Sequence, residues 1–291
     1  MAGQGANRTK RFPGESTIGL LRHARLSLLV SLVVLTIGAW GLTLYQALTV
    51  ERPTSVAVLG SPPSGGMDGM TMAGMPAAGL SVTGAAIFVA VWTVMMAAMM
   101  LPAAAPMILT FAQAQARRDR AVLVPTWIFV AGYGLVWLLA GWVVYPVVQW
   151  GHDMASSPVA TGSFNWAPLA LGGTLIVAGL YQLTPLKRLC LSHCRSPLAF
   201  VALHWREGRG GALRMGVLHG LYCLGCCWAL FGILVAAGVM NLAWMLLLTL
   251  LVFAEKVLPW GWRLSPIIGV ALVAGGLTVA GGILPVSWMA A

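Results

Sequence analysis

Charge is scarce in this chain: 8% of its 291 residues are Asp, Glu, Lys or Arg, against roughly a quarter in an average soluble domain, and only 7 are acidic. So few charges exclude an ordinary water-facing surface. Cysteine is scarce too. Of the 5 cysteines, Cys190 and Cys194 fall in a basic loop and Cys223, Cys226 and Cys227 in an apolar run, a distribution that excludes a disulfide framework. No repeat of roughly 20 to 50 residues, no P-loop and no dinucleotide fingerprint occurs, so the chain carries no energy-coupling motif of its own. The C-x-x-C-H motif of covalent haem attachment is missing as well. The first apolar run is too long and starts too late for a cleaved secretory signal, which leaves it as a retained anchor.

Hydrophobic residues make up 59% of the sequence. They gather in runs close to the roughly 20 residues a helix needs to cross a bilayer, instead of alternating. The fold class expected is all-α, a polytopic transmembrane bundle of about seven spans near residues 27–49, 82–110, 122–149, 166–183, 213–239, 242–258 and 265–284. Lys and Arg concentrate in cytoplasmic loops. With the N-terminus cytoplasmic, every basic residue except Arg52 falls on the cytoplasmic side of this arrangement. The same distribution accounts for the net charge of +10. Basic residues divided among short loops serve topology and contact with anionic lipid, not nucleic acid.

The organisation that follows is a basic cytoplasmic arm over 1–26, a first anchor over 27–49, a Met-rich outer loop over 50–81, and a six-helix membrane domain over 82–284. Within that domain, the cytoplasmic segment 184–212 sets Leu and Phe among basic residues and reads as an interfacial helix pair broken at Pro197.

Three groups of soft ligands stand out. In "HGLYCLGCCWAL" a helix turns about 100° per residue, which brings His219, Cys223 and Cys226 within roughly a 60° arc, with Cys227 beside it. Counting about 1.5 Å per residue puts Cys223 and Cys226 near the bilayer midplane, where histidine is costly and usually marks a functional path. The bland alternative is that free cysteine packs as a small hydrophobe. In "WTVMMAAMMLPAAAPM", Met95 and Met99 share a face that Met96 and Met100 extend, although methionine also fills cores well. Pro102 and Pro106 each free a carbonyl four residues earlier, as a kinked helix lining a pathway would. Outside, "GGMDGMTMAGMP" spaces Met67, Met70, Met72 and Met75 through a flexible loop that has no core for them to fill. His152 and Met154 add weakly to that outer group. On the cytoplasmic side Cys190, His193 and Cys194 form a C-x-x-H-C cluster whose cysteines converge if the segment is helical. Glu255 and Lys256, at the end of the sixth span, read as a mutual pair or as snorkelling side chains, with a proton or gating role for Glu255 as the alternative.

"MMAAMMLPAAAPM", "YQLTPLKRLCLSHCRSPLAF" and "GLYCLGCCWALFGILVAAGVMNLAWM", followed by "EK", resemble a bacterial family described as predicted metal-binding integral membrane proteins. The resemblance covers roughly residues 82–260 and implies a metal without naming it. Thioether and thiolate ligands favour Cu(I), with another soft or borderline metal as the alternative. The reading that results is a multi-pass protein of the bacterial inner membrane, more a carrier than an enzyme, which moves Cu(I) across or within the membrane by ligand exchange. Met67, Met70, Met72 and Met75 capture the ion; Met95, Met96, Met99, His219, Cys223, Cys226 and Cys227 hold it; Cys190, His193 and Cys194 form a cytoplasmic station. Expected partners are the lipid bilayer and a periplasmic or cytoplasmic copper chaperone or copper enzyme. Two alternatives stay open: a membrane thiol-disulfide oxidoreductase using Cys223-x-x-Cys226, and a scaffold for assembling a membrane copper or haem enzyme.

Overall fold

The computed structural model of the chain describes residues 13–49, 82–118, 122–156, 167–237 and 241–283. Among these the fold is all-α, with nine helices and no strand: α1 (Pro13–Thr49), α2 (Val82–Ala116), α3 (Leu123–Ser156), α4 (Ala167–Leu183), α5 (Pro185–Arg195), α6 (Pro197–His204), α7 (Gly208–Ala237), α8 (Leu242–Val257) and α9 (Gly261–Ala280). Helix α1 takes in residues 13–26 of the stretch read as an arm. The outer-loop methionines Met67, Met70, Met72 and Met75 lie outside the described residues, as do the side chains of His152 and Met154.

Among the described residues, five helices are long and apolar enough to cross a membrane: α1 over Arg25–Gln46, α2, α3 over Leu123–Gly151, α7 and α9. A sixth arises if Pro168–Leu183 and Pro185–Arg195, bent by 66° to one another, act as one broken span. This differs from the seven expected. Helix α8 has 16 residues, about 24 Å at the α-helical rise, short of a hydrocarbon core of about 30 Å. Hydropathy marked it as a span; its length does not.

Small residues decide which helices close on one another. Gly172 and Gly179 on α4 face Gly276 and Gly269 on α9, and a Cβ added at Gly172 would stand 2.7 Å from the Gly276 carbonyl. Backbones approach this closely only where side chains are absent. Helices α3 and α7 use the same device. A Cβ at Gly132 would lie 2.5 Å from the Leu213 carbonyl, one at Gly216 would collide with the Phe129 carbonyl, and one at Gly220 would lie 2.8 Å from Val136. That contact sets Tyr133 of α3 beside the cysteines of α7.

The prolines of α2 are accommodated without a break in the helix. Pro102 has no N–H to give the Ala98 carbonyl, and the indole of Trp40 on α1 donates to that oxygen instead, at 3.0 Å. Protein, not a water-lined pathway, satisfies this freed group.

The turn into α5 is written in "LTPLK". Thr184 caps the helix, its side chain accepting from the Lys187 N–H at 3.3 Å, and Pro185 occupies the first turn, where a missing N–H costs nothing. Ser196 then ends α5, and Pro197, unable to continue it, opens α6 as the expected break requires. Helices α5 and α6 form a short layer, α5 lying against α7 and α8 and α6 against α2.

Candidate metal centre

One buried group of thiols forms where α5, α7 and the last turn of α8 meet. Cys223, Cys226 and Cys227 are 1%, 2% and 1% exposed, and all the cysteines are free. Along α7 the Cys226 and Cys227 thiols turn back to donate to the Cys223 carbonyl, at 3.1 and 2.8 Å, which gathers the three side chains on one side of the helix. From α5, the half-buried Cys190 and Cys194 pack against the same core that holds Cys223, Cys226 and Cys227. The sulfur of Cys190 lies against Gly225, at a position where a Cβ would approach it to 3.0 Å. Sequence spacing alone separates the C-x-x-H-C loop from the cysteine helix. The fold joins them, because the bend at Thr184 lays α5 alongside α7.

Two further groups complete the surroundings of Cys223. The Tyr133 hydroxyl and the Cys223 sulfur are 3.1 Å apart and share a hydrogen bond, and Lys256 donates from Nζ to the same sulfur at 2.9 Å. Lys256 therefore neither snorkels nor pairs with Glu255. Glu255 turns instead to Lys187 of α5, whose Nζ lies 2.7 and 2.9 Å from its two oxygens, with side chains 1% and 3% exposed. This ion pair neutralises itself inside the protein. Arg195 of α5 closes the end of α8 by donating to the carbonyls of Glu255, Leu258 and Pro259, the last two at 2.7 and 2.9 Å. A cation at a helix C-terminus suits the orphan carbonyls there. The segment Lys187 to Arg195 is thereby tied to α8 at both ends, with the α5 cysteines held between.

The other expected ligands are placed differently. His219 is 3% exposed and lies among Phe129, Tyr133 and Phe200, with ring centroids 6.0, 5.5 and 5.6 Å away, and its buried Nδ1 has no partner. A buried nitrogen left unsatisfied is costly. His193 stacks on Tyr222 at 4.2 Å and its Nδ1 meets the Leu189 carbonyl, so its contacts are with these groups and not with the thiols. Met95, Met96 and Met99 are 1%, 0% and 0% exposed within the hydrophobic core that also holds the cysteines. Helix α2, however, packs on α1, α3, α6 and α8, and it shares α3 and α8 with α7 as common neighbours without lying along α7 itself.

Lys256, Tyr133 and the Lys187–Glu255 pair are absent from the ligand set read from sequence. The signal for the lysines was present, because "TPLK" and "EK" put ammonium groups at the edges of apolar runs with no neighbouring carboxylate in register to receive both.

Chemically, the centre is a set of soft sulfur donors with one buried cation and one unpartnered imidazole nitrogen. Among the described residues, no three His, Cys, Asp or Glu side chains converge as a ready-made metal cage. A closed four-ligand zinc site needs such a cage, whereas a d10 monovalent soft ion is held by as few as two thiolates. The thiols present are soft donors of the kind that suits copper.

Residues 89–279 match the family model PpoB2, described as a copper chaperone. That range runs from within α2 almost to the end of α9, so it includes every thiol, His219, Lys187, Glu255 and Lys256, and leaves out all of α1 and Met67, Met70, Met72 and Met75. No curated protein and no solved structure matches the chain. The match names the metal that the resemblance of the sequence left open, and with well over half of the chain covered, this protein belongs to the PpoB2 copper chaperone family.

Proposed function

We propose that the protein is an integral membrane copper chaperone that holds Cu(I) on the thiols at the junction of α5, α7 and α8 and passes it to a recipient by ligand exchange. The observation that carries this reading is the gathering of Cys223, Cys226 and Cys227 on one buried side of α7, with Cys190 and Cys194 of α5 packed against the same core. Thiolate and thioether donors select Cu(I) among biological metals, and a dry site protects both the thiols and the reduced ion from oxidation. Membrane insertion is supported by five helices of sufficient length and apolarity. A bacterial inner membrane, with the N-terminus cytoplasmic, is the setting that the distribution of Lys and Arg favours.

In this account Met67, Met70, Met72 and Met75 offer the first, weakly held ligands, and Met95, Met96 and Met99 with His219 offer intermediate ones. The thiol cluster is the main station. Transfer needs several sites of moderate affinity, since one very tight site would trap the ion. The recipient is a copper enzyme or a soluble copper carrier.

A thiol-disulfide exchange reading keeps one point in its favour, namely that Cys190 and Cys194 of α5 pack against the core that holds Cys223 and Cys226. That reading uses the Cys223-x-x-Cys226 pair, since the Lys256 ammonium that donates to the Cys223 sulfur favours an attacking thiolate. Titration of the purified protein with Cu(I) against a competing chelator under reducing, anaerobic conditions separates the two readings. A copper protein binds Cu(I) with its thiols reduced, whereas an oxidoreductase cycles its thiols without retaining the ion.

A further inference from the structure

We propose that Lys256 makes the thiol cluster selective for a monovalent ion, by fixing one positive charge beside it. The inference rests on the copper reading above and adds to it the residue that rejects divalent competitors such as Zn(II).

The argument is a count of charge in a place where charge cannot be left unbalanced. Lys256 is 9% exposed; its hydrogen bond goes to the Cys223 sulfur, and its other electrostatic neighbours are Cys226, Cys227 and Cys194. The nearest carboxylate, Glu255, is already neutralised by Lys187 at 2.7 Å. Arg195 is half-buried and spends its donors on three backbone carbonyls at the end of α8. Within the cluster, then, one ammonium faces several thiols. When two of the thiols of Cys194, Cys223 and Cys226 bind a metal, each releases its proton to solvent and the pair contributes two negative charges. With one ammonium and Cu(I), the sum is zero. With Zn(II) or Cu(II) the same site carries a net positive charge away from water, which is strongly disfavoured in a medium of low dielectric. Neutrality around a divalent ion takes a third thiolate, and each further thiol that ionises away from water adds a desolvation cost.

Removing one positive charge must therefore shift preference toward divalent ions. The test loads the detergent-purified, reduced full chain with Ag(I), a redox-inert monovalent probe, or with Cd(II), and measures the ratio of their affinities in wild type, Lys256→Met, Lys256→Gln and Lys256→Arg. Lys256→Gln removes the same charge but keeps a donor for the Cys223 sulfur, and it serves if Lys256→Met does not fold. The expected result is a ratio shifted toward Cd(II) by at least about tenfold in both neutral variants and kept in Lys256→Arg, since a unit charge acts strongly at this range in a dry interior. An unchanged ratio in the neutral variants, with Ag(I) still bound by wild type, overturns the role of Lys256 and leaves the copper reading standing. If wild type binds neither Ag(I) nor Cu(I), the copper reading itself fails and this inference falls with it.

Discussion

Removing one member of the Lys187–Glu255 pair strands a charge inside the protein, because the two side chains are 1% and 3% exposed and their oxygens and nitrogen are 2.7 Å apart. Glu255→Gln is expected to destabilise the fold by about 3 to 5 kcal/mol, and a double variant that also carries Lys187→Met should recover much of the loss. Thermal unfolding in detergent measures both. At the thiols, Cys194→Ser should weaken Cu(I) binding by at least about tenfold, an effect as large as that of a change on α7, since metal affinity follows the loss of a single ligand regardless of its position in the chain. A Cys194→Ser protein that bound Cu(I) like wild type would separate α5 from the site. The cysteines and His219 were legible in the sequence because their residue types are conspicuous in an apolar run. Lys256 was signalled only as an ammonium at the edge of an apolar run, and Tyr133 not at all, because what sets both beside Cys223 is the packing of α8 and α3 against α7, which no local pattern announces.

Helices meet here through absent side chains, and this gives sharp expectations for elements. A Cβ at Gly216 would collide with the Phe129 carbonyl, so Gly216→Val should force α3 from α7, cost about 1 to 3 kcal/mol as overpacking does, and detach Tyr133 from Cys223. Lower stability together with weaker Cu(I) binding is the expected signature; a variant with full stability would show that the two backbones are not in contact. At the crossing of α1 and α2, Trp40→Phe leaves the Ala98 carbonyl without a donor and should cost about 1 to 3 kcal/mol, the penalty for a buried group left unsatisfied. Helix positions were largely legible: the apolar runs at 82–110, 166–183 and 242–258 correspond to α2, α4 and α8. Hydropathy reports that a segment is buried without saying in what. It therefore marked α8 as a span although 16 residues make it short, and it missed that "TPLK" turns the chain by 66° to lay α5 on α7.

At the scale of the whole molecule, the family match begins at residue 89 and so sets the thiol-bearing helices apart from the outer-loop methionines. In the proposed account the loop loads the protein and the thiol centre retains the ion. Changing Met67, Met70, Met72 and Met75 together to Leu should therefore slow Cu(I) uptake in reconstituted vesicles while leaving the equilibrium affinity within about twofold of wild type, as expected of sites that do not couple. A large loss of affinity would place the main station in the loop. The central claim, that thiols from two helices form one copper centre, is tested most directly by an anaerobic Cu(I) titration against a competing chelator, with wild type compared to Cys223→Ser/Cys226→Ser and to Cys194→Ser. The account predicts tight binding by wild type and a marked loss in both variants. Equal binding by all three proteins, or none by wild type, would contradict it.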